Sequence, residues 1–166
     1  MVRQAREVVF QCYGQPLETV QSFKYLGRLL TSTIDDWPTM YKNLTKARPR
    51  WEMLARVLVR EGADQSTMAR FYTAIVQAVL LYGSETWTVN QSILRVVGGF
   101  HNRVARRIAH CTSHLSNGEW VYPPLSDAFE ATGLAPVETY IQERQARFDK
   151  RSVLYLNSTN TIAEER

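Results

Sequence analysis

Between Trp37 and Leu58, apolar side chains return every three or four residues: Trp37, Met40, Tyr41, Leu44, Ala47 or Arg48, Trp51, Leu54, Ala55 and Leu58. Only an α-helix brings positions so spaced onto one face. A long amphipathic helix is therefore the element around which any fold of this chain must be built. Asp36 stands where an N-cap belongs. Pro38 falls in the first turn, where its missing N–H costs nothing. Gly62 marks the end of the pattern. Pro49 interrupts it; a mid-helix proline removes one backbone bond and crowds the preceding turn. This predicts a kink near Leu44 to Arg48, or two helices.

The pattern then repeats. Asp64 caps a second helix whose Met68, Phe71, Tyr72, Ile75, Val76, Val79 and Leu80 form an apolar face, widened by Ala74, Ala78 and Leu81. So broad a face predicts a central, largely buried helix. Gly83 and Ser84 stop it. Asn90 caps a third helix, with Ile93, Leu94, Val97, Phe100, Val104 and Ile108 inward. Gly98 and Gly99 lie inside it, which points to close packing or flexibility, since each costs roughly 1 kcal/mol against alanine. Residues 112–125 read as a loop. Ser126 caps a short helix ending at Gly133. Pro136 opens a last helix to about Leu156, with Val137, Tyr140, Ile141, Arg144, Phe148 and Val153 at periodic positions and a frayed tail beyond.

The N-terminal segment differs. Residues 7–13 are rich in β-formers, Gly14-Gln15-Pro16 is a turn signal, and a second extended stretch runs through Phe23–Gly27 toward Thr31. A small hairpin or meander of this size is marginal alone. The expected fold class is mainly α: a helical bundle with a short N-terminal β-hairpin.

Composition narrows the function. Of 166 residues, 45% are hydrophobic, enough for a core and too many for a disordered chain. The longest apolar run in the second helix, Ala78 to Tyr82, is far short of the ~20 residues a membrane span needs. Arg3, Arg6 and Glu7 do not fit a signal peptide. Two cysteines, Cys12 and Cys111, make no disulfide framework and favour a reducing compartment, nuclear or cytoplasmic.

The net charge of +4 is modest, so its distribution matters more. Lys42 to Arg60 holds Lys42, Lys46, Arg48, Arg50, Arg56 and Arg60 with a single acid, Glu52. Arg95 to His110 holds Arg95, Arg103, Arg106 and Arg107 with no acid, plus His101 and His110. Two such stretches point to a polyanion-facing surface; solvated helix faces are the plainer alternative. Chemistry-bearing constellations are weak. His110, Cys111 and His114 lack a fourth zinc ligand nearby, Gly98-Gly99 lacks a phosphate-loop Lys-Ser/Thr, and no Ser/His/Asp arrangement is visible. Neither a metal nor a cofactor is expected.

Phe23-Lys24-Tyr25-Leu26-Gly27, followed by Leu80-Leu81-Tyr82-Gly83-Ser84-Glu85-Thr86-Trp87, resembles the region after the palm in reverse transcriptases of non-LTR (LINE-like) retrotransposons. Pro123-Pro124-Leu125, Gly133-Leu134, Pro136, Tyr140-Ile141 and Arg144 resemble their C-terminal part. The likeness covers roughly residues 8–148. It implies a palm–thumb junction hairpin, or primer grip, over 1–33, a helical thumb over 34–111 and a helical extension over 112–166.

By the same resemblance, Tyr25, Leu26 and Gly27 lie near the primer backbone, and Lys42, Lys46, Arg50, Arg103, Arg106 and Arg107 contact phosphates. Phe23, Tyr25 and Leu26 also suit packing of the hairpin onto a core, and for Phe23 and Leu26 this is the preferred reading. The family's polymerase needs paired aspartates in a Tyr-x-Asp-Asp turn. Asp35-Asp36 instead follows the hairpin and leads into Trp37-Pro38, which reads as a helix start. The expectation is a fragment that lacks the palm, binds RNA/DNA template–primer, partners the missing palm and fingers, and catalyses nothing alone. The alternative is a helical protein-interaction module whose basic faces serve solubility. No chemical role emerges for Tyr82–Trp87, although Trp87 reads as core.

Overall fold

A computed structural model describes residues 10–25, 28–31 and 35–164, with side chains over 10–25 and 35–152. The chain divides into two units, Met1–Ile34 and Asp35–Arg166. The second is mainly helical, as expected.

In the first unit, β1 (Gln11–Cys12) pairs antiparallel with β2 (Gln15–Pro16), and β3 (Ser22–Tyr25) pairs antiparallel with β4 (Arg28–Thr31). The β1–β2 turn is Tyr13-Gly14, both at positive φ, the backbone that a two-residue turn joining twisted strands requires. Of the strand expected over 7–13, Gln11–Cys12 form β1 and Tyr13 belongs to the turn; residues 7–9 lie outside the described residues. Phe23 is 58% exposed. Leu26 and Gly27 lie outside the described residues.

In the second unit, α1 (Trp37–Arg60) is one helix with Pro49 inside it, not two. Proline is tolerated because Pro49 and Thr45, whose carbonyl loses its i+4 donor, both face solvent. Met40, Leu44, Ala47, Trp51, Ala55 and Leu58 are buried. Trp37 and Tyr41 flank this stripe and stay accessible, so the buried face is narrower than the apolar pattern.

Asp36 precedes α1 but makes no side-chain cap. Asp35 Oδ1 accepts from Trp37 N at 3.0 Å instead, while Asp36 Oδ2 accepts from Thr88 N at 2.7 Å. Asp64 and Asn90 are true caps, accepting from Thr67 N at 2.6 Å and Ile93 N at 2.9 Å. The Thr67 N–H, with its hydroxyl, holds the Asp64 carboxyl below its ordinary range.

The second helix begins as α2 (Gln65–Phe71), widens into a π-helical segment over Tyr72–Gln77, and ends as α3 (Ala78–Leu80). Tyr72, Val76, Gln77 and Leu80 are buried, whereas Phe71, Ala74 and Ile75 face outward. This helix is therefore half-buried rather than enclosed, contrary to expectation. Gly83, at φ 77, terminates it in the left-handed region that glycine alone enters without strain.

Next come α4 (Gln91–Ile108), the hairpin β5 (His114–Ser116) and β6 (Glu119–Val121), α5 (Leu125–Thr132) and α6 (Val137–Glu164). Residues 112–125 thus hold a hairpin where a loop was expected. Asn117 and Gly118 both have positive φ, as a type I′ turn needs. Ser126 is not a cap: α5 starts one residue earlier, and Ser126 Oγ donates to Asp127 Oδ1 at 3.0 Å. The helical backbone of α6 continues to Glu164, past the fraying expected near Leu156.

The core centres on Tyr72 and His101, both fully buried. Tyr72 lies edge-on to Trp51 at 5.6 Å between ring centroids, and His101 lies 5.8 Å from Phe129 and 5.9 Å from Tyr140. Four helices and the π-helical turn meet in this chain of rings. Burying each large side chain contributes about 1.5–3 kcal/mol. Gly98 faces α6, where a Cβ would meet Val137 Cγ1 at 3.6 Å, an ordinary contact.

Candidate nucleic-acid interface

α1 and α4 together build a cationic cleft of about 710 Å³. Arg48 and Glu52 come from α1. Arg103, Arg106 and Arg107 come from α4, and Thr112 and Ser113 close one side. The spacing explains the cluster. Positions 103, 106 and 107 share one face of a helix, while Phe100 and Val104 turn toward the core and fix the helix's rotation.

Glu52 is the single acid in the lining. Among the described residues, no carboxylate pairs with Arg48, Arg103 or Arg107. Like charges gathered this way repel one another, and an anion between them relieves that repulsion. The planar guanidinium fork matches phosphate oxygens in pairs.

Arg106 has a further task. Its guanidinium donates to Pro123 O at 2.6 Å and Cys111 O at 3.4 Å. It therefore clamps both ends of the β5–β6 hairpin while adding positive charge to the cleft.

The structure separates the basic residues singled out in the sequence. Arg103, Arg106 and Arg107 share the cleft, together with Arg48. Lys42, Lys46 and Arg50 do not line it. At 100° per residue they lie roughly 120–160° around α1 from Arg48. Arg50 Nη1 donates to Lys46 O at 3.1 Å, within this outward ridge. Tyr25 is exposed and belongs to the first unit; Leu26 and Gly27 are outside the described residues.

His101, counted in the sequence among basic groups, is not part of any charged surface. Its Nε2 donates to Ala135 O at 2.9 Å, so its Nδ1 accepts from the Tyr72 hydroxyl at 2.9 Å. Burial lowers its pKa, against the opposing pull of the Ala135 carbonyl and Glu138. Burial likewise pushes the Tyr72 phenol up, with Tyr140 adding to the effect. The imidazole is a neutral core group. Its place between Val97 and Val104 on the inward stripe of α4 was the available signal.

The Tyr82–Trp87 stretch has a structural part. Asn43 Nδ2 donates to Tyr82 O at 2.8 Å, Arg144 Nη1 to Leu81 O at 3.3 Å, and Gln145 Nε2 to Trp87 O at 3.0 Å. The turn is thereby fastened to α1 and α6, and Trp87 is buried, as expected. Gln77 Nε2, Ser84 Oγ and Trp87 Nε1 are buried without partners among the described residues, each at a cost of about 1–3 kcal/mol.

A smaller cleft of about 320 Å³ gathers Arg144, Arg147 and Arg151 of α6. Its charge is offset by Glu85 in the lining and by Glu143, 4.0 Å from Arg147. Among the described residues, no cluster of three His, Cys, Asp or Glu could hold a metal ion. No helix there is long and apolar enough to cross a membrane. No protein-family model, curated protein or solved structure matches the chain.

Proposed function

We propose that the helical unit is a thumb-like module of a LINE-like reverse transcriptase, and that it grips template–primer through phosphates. The observation that carries this reading is the cleft between α1 and α4, where Arg48, Arg103, Arg106 and Arg107 face one acid. The resemblance of Phe23–Gly27 and Leu80–Trp87 to that family supports it from the sequence. The module binds and positions; it carries no catalytic step. Catalysis would belong to a palm and fingers with which it works, in the nucleus or cytoplasm.

Contacts of this kind do not read bases and weaken with salt. Titration of an RNA–DNA primer–template by fluorescence anisotropy tests the proposal. Salt-sensitive binding that drops in an Arg103→Ala/Arg107→Ala variant supports it.

A second reading, protein docking, rests on the outward Phe71, Ala74 and Ile75 of the second helix. Under it, binding to a protein persists at high salt, and the chain ignores nucleic acid at low salt.

A further inference from the structure

The β5–β6 hairpin carries its apolar side chains on the outside. Leu115 pairs across the strands with Trp120, and side chains directly opposite share a face. The pair is 60% and 62% exposed, and Tyr122 just beyond is 73% exposed. A cross-strand pair formed only to stabilise a hairpin does not require so much open ring surface. The one acid of the strands, Glu119, pairs with Ser116 and so lies on the other face.

The hairpin is rooted in the arginine cleft. Thr112 and Ser113 line that cleft and lead straight into β5. Arg106 bonds to carbonyls at both ends of the hairpin, Cys111 and Pro123. Two residues of extended chain, about 7 Å, separate Ser113 from Leu115. That step is comparable to one nucleotide of a stretched strand. The root is fixed in advance, which lowers the ordering cost of binding.

We infer that β5–β6 is a base-stacking wing: Trp120, backed by Leu115, receives an unpaired base from a strand whose phosphates lie in the arginine cleft. The inference rests on the nucleic-acid reading above and adds the place where the unpaired strand of the template–primer is held, so that a duplex with an overhang is preferred over a blunt one. Aromatic side chains stack on every base, so the wing is tolerant of sequence.

The test uses the full chain, a blunt RNA–DNA duplex, and the same duplex with a three-nucleotide DNA overhang carrying 2-aminopurine next to the junction. The expected result is that the wild type quenches the probe and prefers the overhang about 5- to 10-fold, within the range of base–aromatic stacking. Trp120→Ala, shown folded by circular dichroism, loses that preference and the quenching. It leaves blunt-duplex affinity and salt slope unchanged, and Trp120→Phe restores part of both lost effects. Unchanged overhang preference in Trp120→Ala, with weakened binding in Arg103→Ala/Arg107→Ala, overturns the wing and keeps the interface. Absence of binding to either duplex at low salt overturns both.

Discussion

The hydroxyl of Tyr72 donates to Nδ1 of His101 over 2.9 Å and joins the π-helical turn to α4 at the centre of the core. His101 passes the connection on through Nε2 to the carbonyl of Ala135, just before α6. Both side chains are fully buried, so water cannot replace either bond. Tyr72→Phe keeps the ring packing and leaves Nδ1 unpaired. A loss of about 1–3 kcal/mol is expected, read from the urea midpoint with an unchanged m-value.

The same histidine makes stability depend on pH. Its folded pKa lies below the ordinary value because burial disfavours the imidazolium; Glu138 and the Ala135 carbonyl oppose but do not reverse this. The unfolded chain therefore binds the proton more readily. Stability is fully present above about pH 6.5, the ordinary histidine value, and falls as pH drops below it. Urea unfolding at pH 7.5, 6.5 and 5.5 should show that fall, and His101→Gln should flatten it.

Gly98 offers a gain in stability. A Cβ at this position would meet Val137 Cγ1 at 3.6 Å, an ordinary contact. Gly98→Ala should raise stability by up to ~1 kcal/mol through helix propensity. Gly98→Leu should lower it by about 1–3 kcal/mol by forcing α4 and α6 apart. Thermal unfolding of the two variants should therefore shift in opposite directions.

Much of this fold is legible in local sequence. The Met40–Leu58 stripe, the Asp64 and Asn90 caps and the Gly83 terminator depend on neighbours within a turn or two, and each stands where the pattern puts it. Asp36 stands at the N-cap position too, but its side chain does not cap, because its carboxylate bonds to Thr88 N, 52 residues away. Spacing cannot show a partner that only the tertiary fold brings near. The same holds for the π-helical turn, whose departure from α geometry leaves no periodic mark, and for Arg48, which only packing places beside the α4 arginines. The hairpin after α4 was readable: Asn117-Gly118 is a strong turn signal, obscured by the surrounding polar and proline residues.

Arg106 and Arg107 are adjacent in sequence but differ in their tasks. Arg106→Ala removes the donor that holds Cys111 O and Pro123 O, so hydrogen exchange over residues 114–121 should quicken several-fold. Arg107 makes no such bond, and Arg107→Ala should leave that exchange unchanged while weakening nucleic-acid binding. Mass-spectrometric exchange on both variants checks the contrast.

Phosphate binding in the α1–α4 cleft is read from primer–template affinity across salt. Three phosphates neutralised by Arg48, Arg103 and Arg107 imply a log–log slope of about −2.7, or roughly a 40-fold loss between 50 and 200 mM. The Arg103→Ala/Arg107→Ala variant should bind more weakly and with a slope smaller by about two. Affinity indifferent to salt, or a folded double variant that binds as the wild type does, would show that the cleft does not bind phosphates.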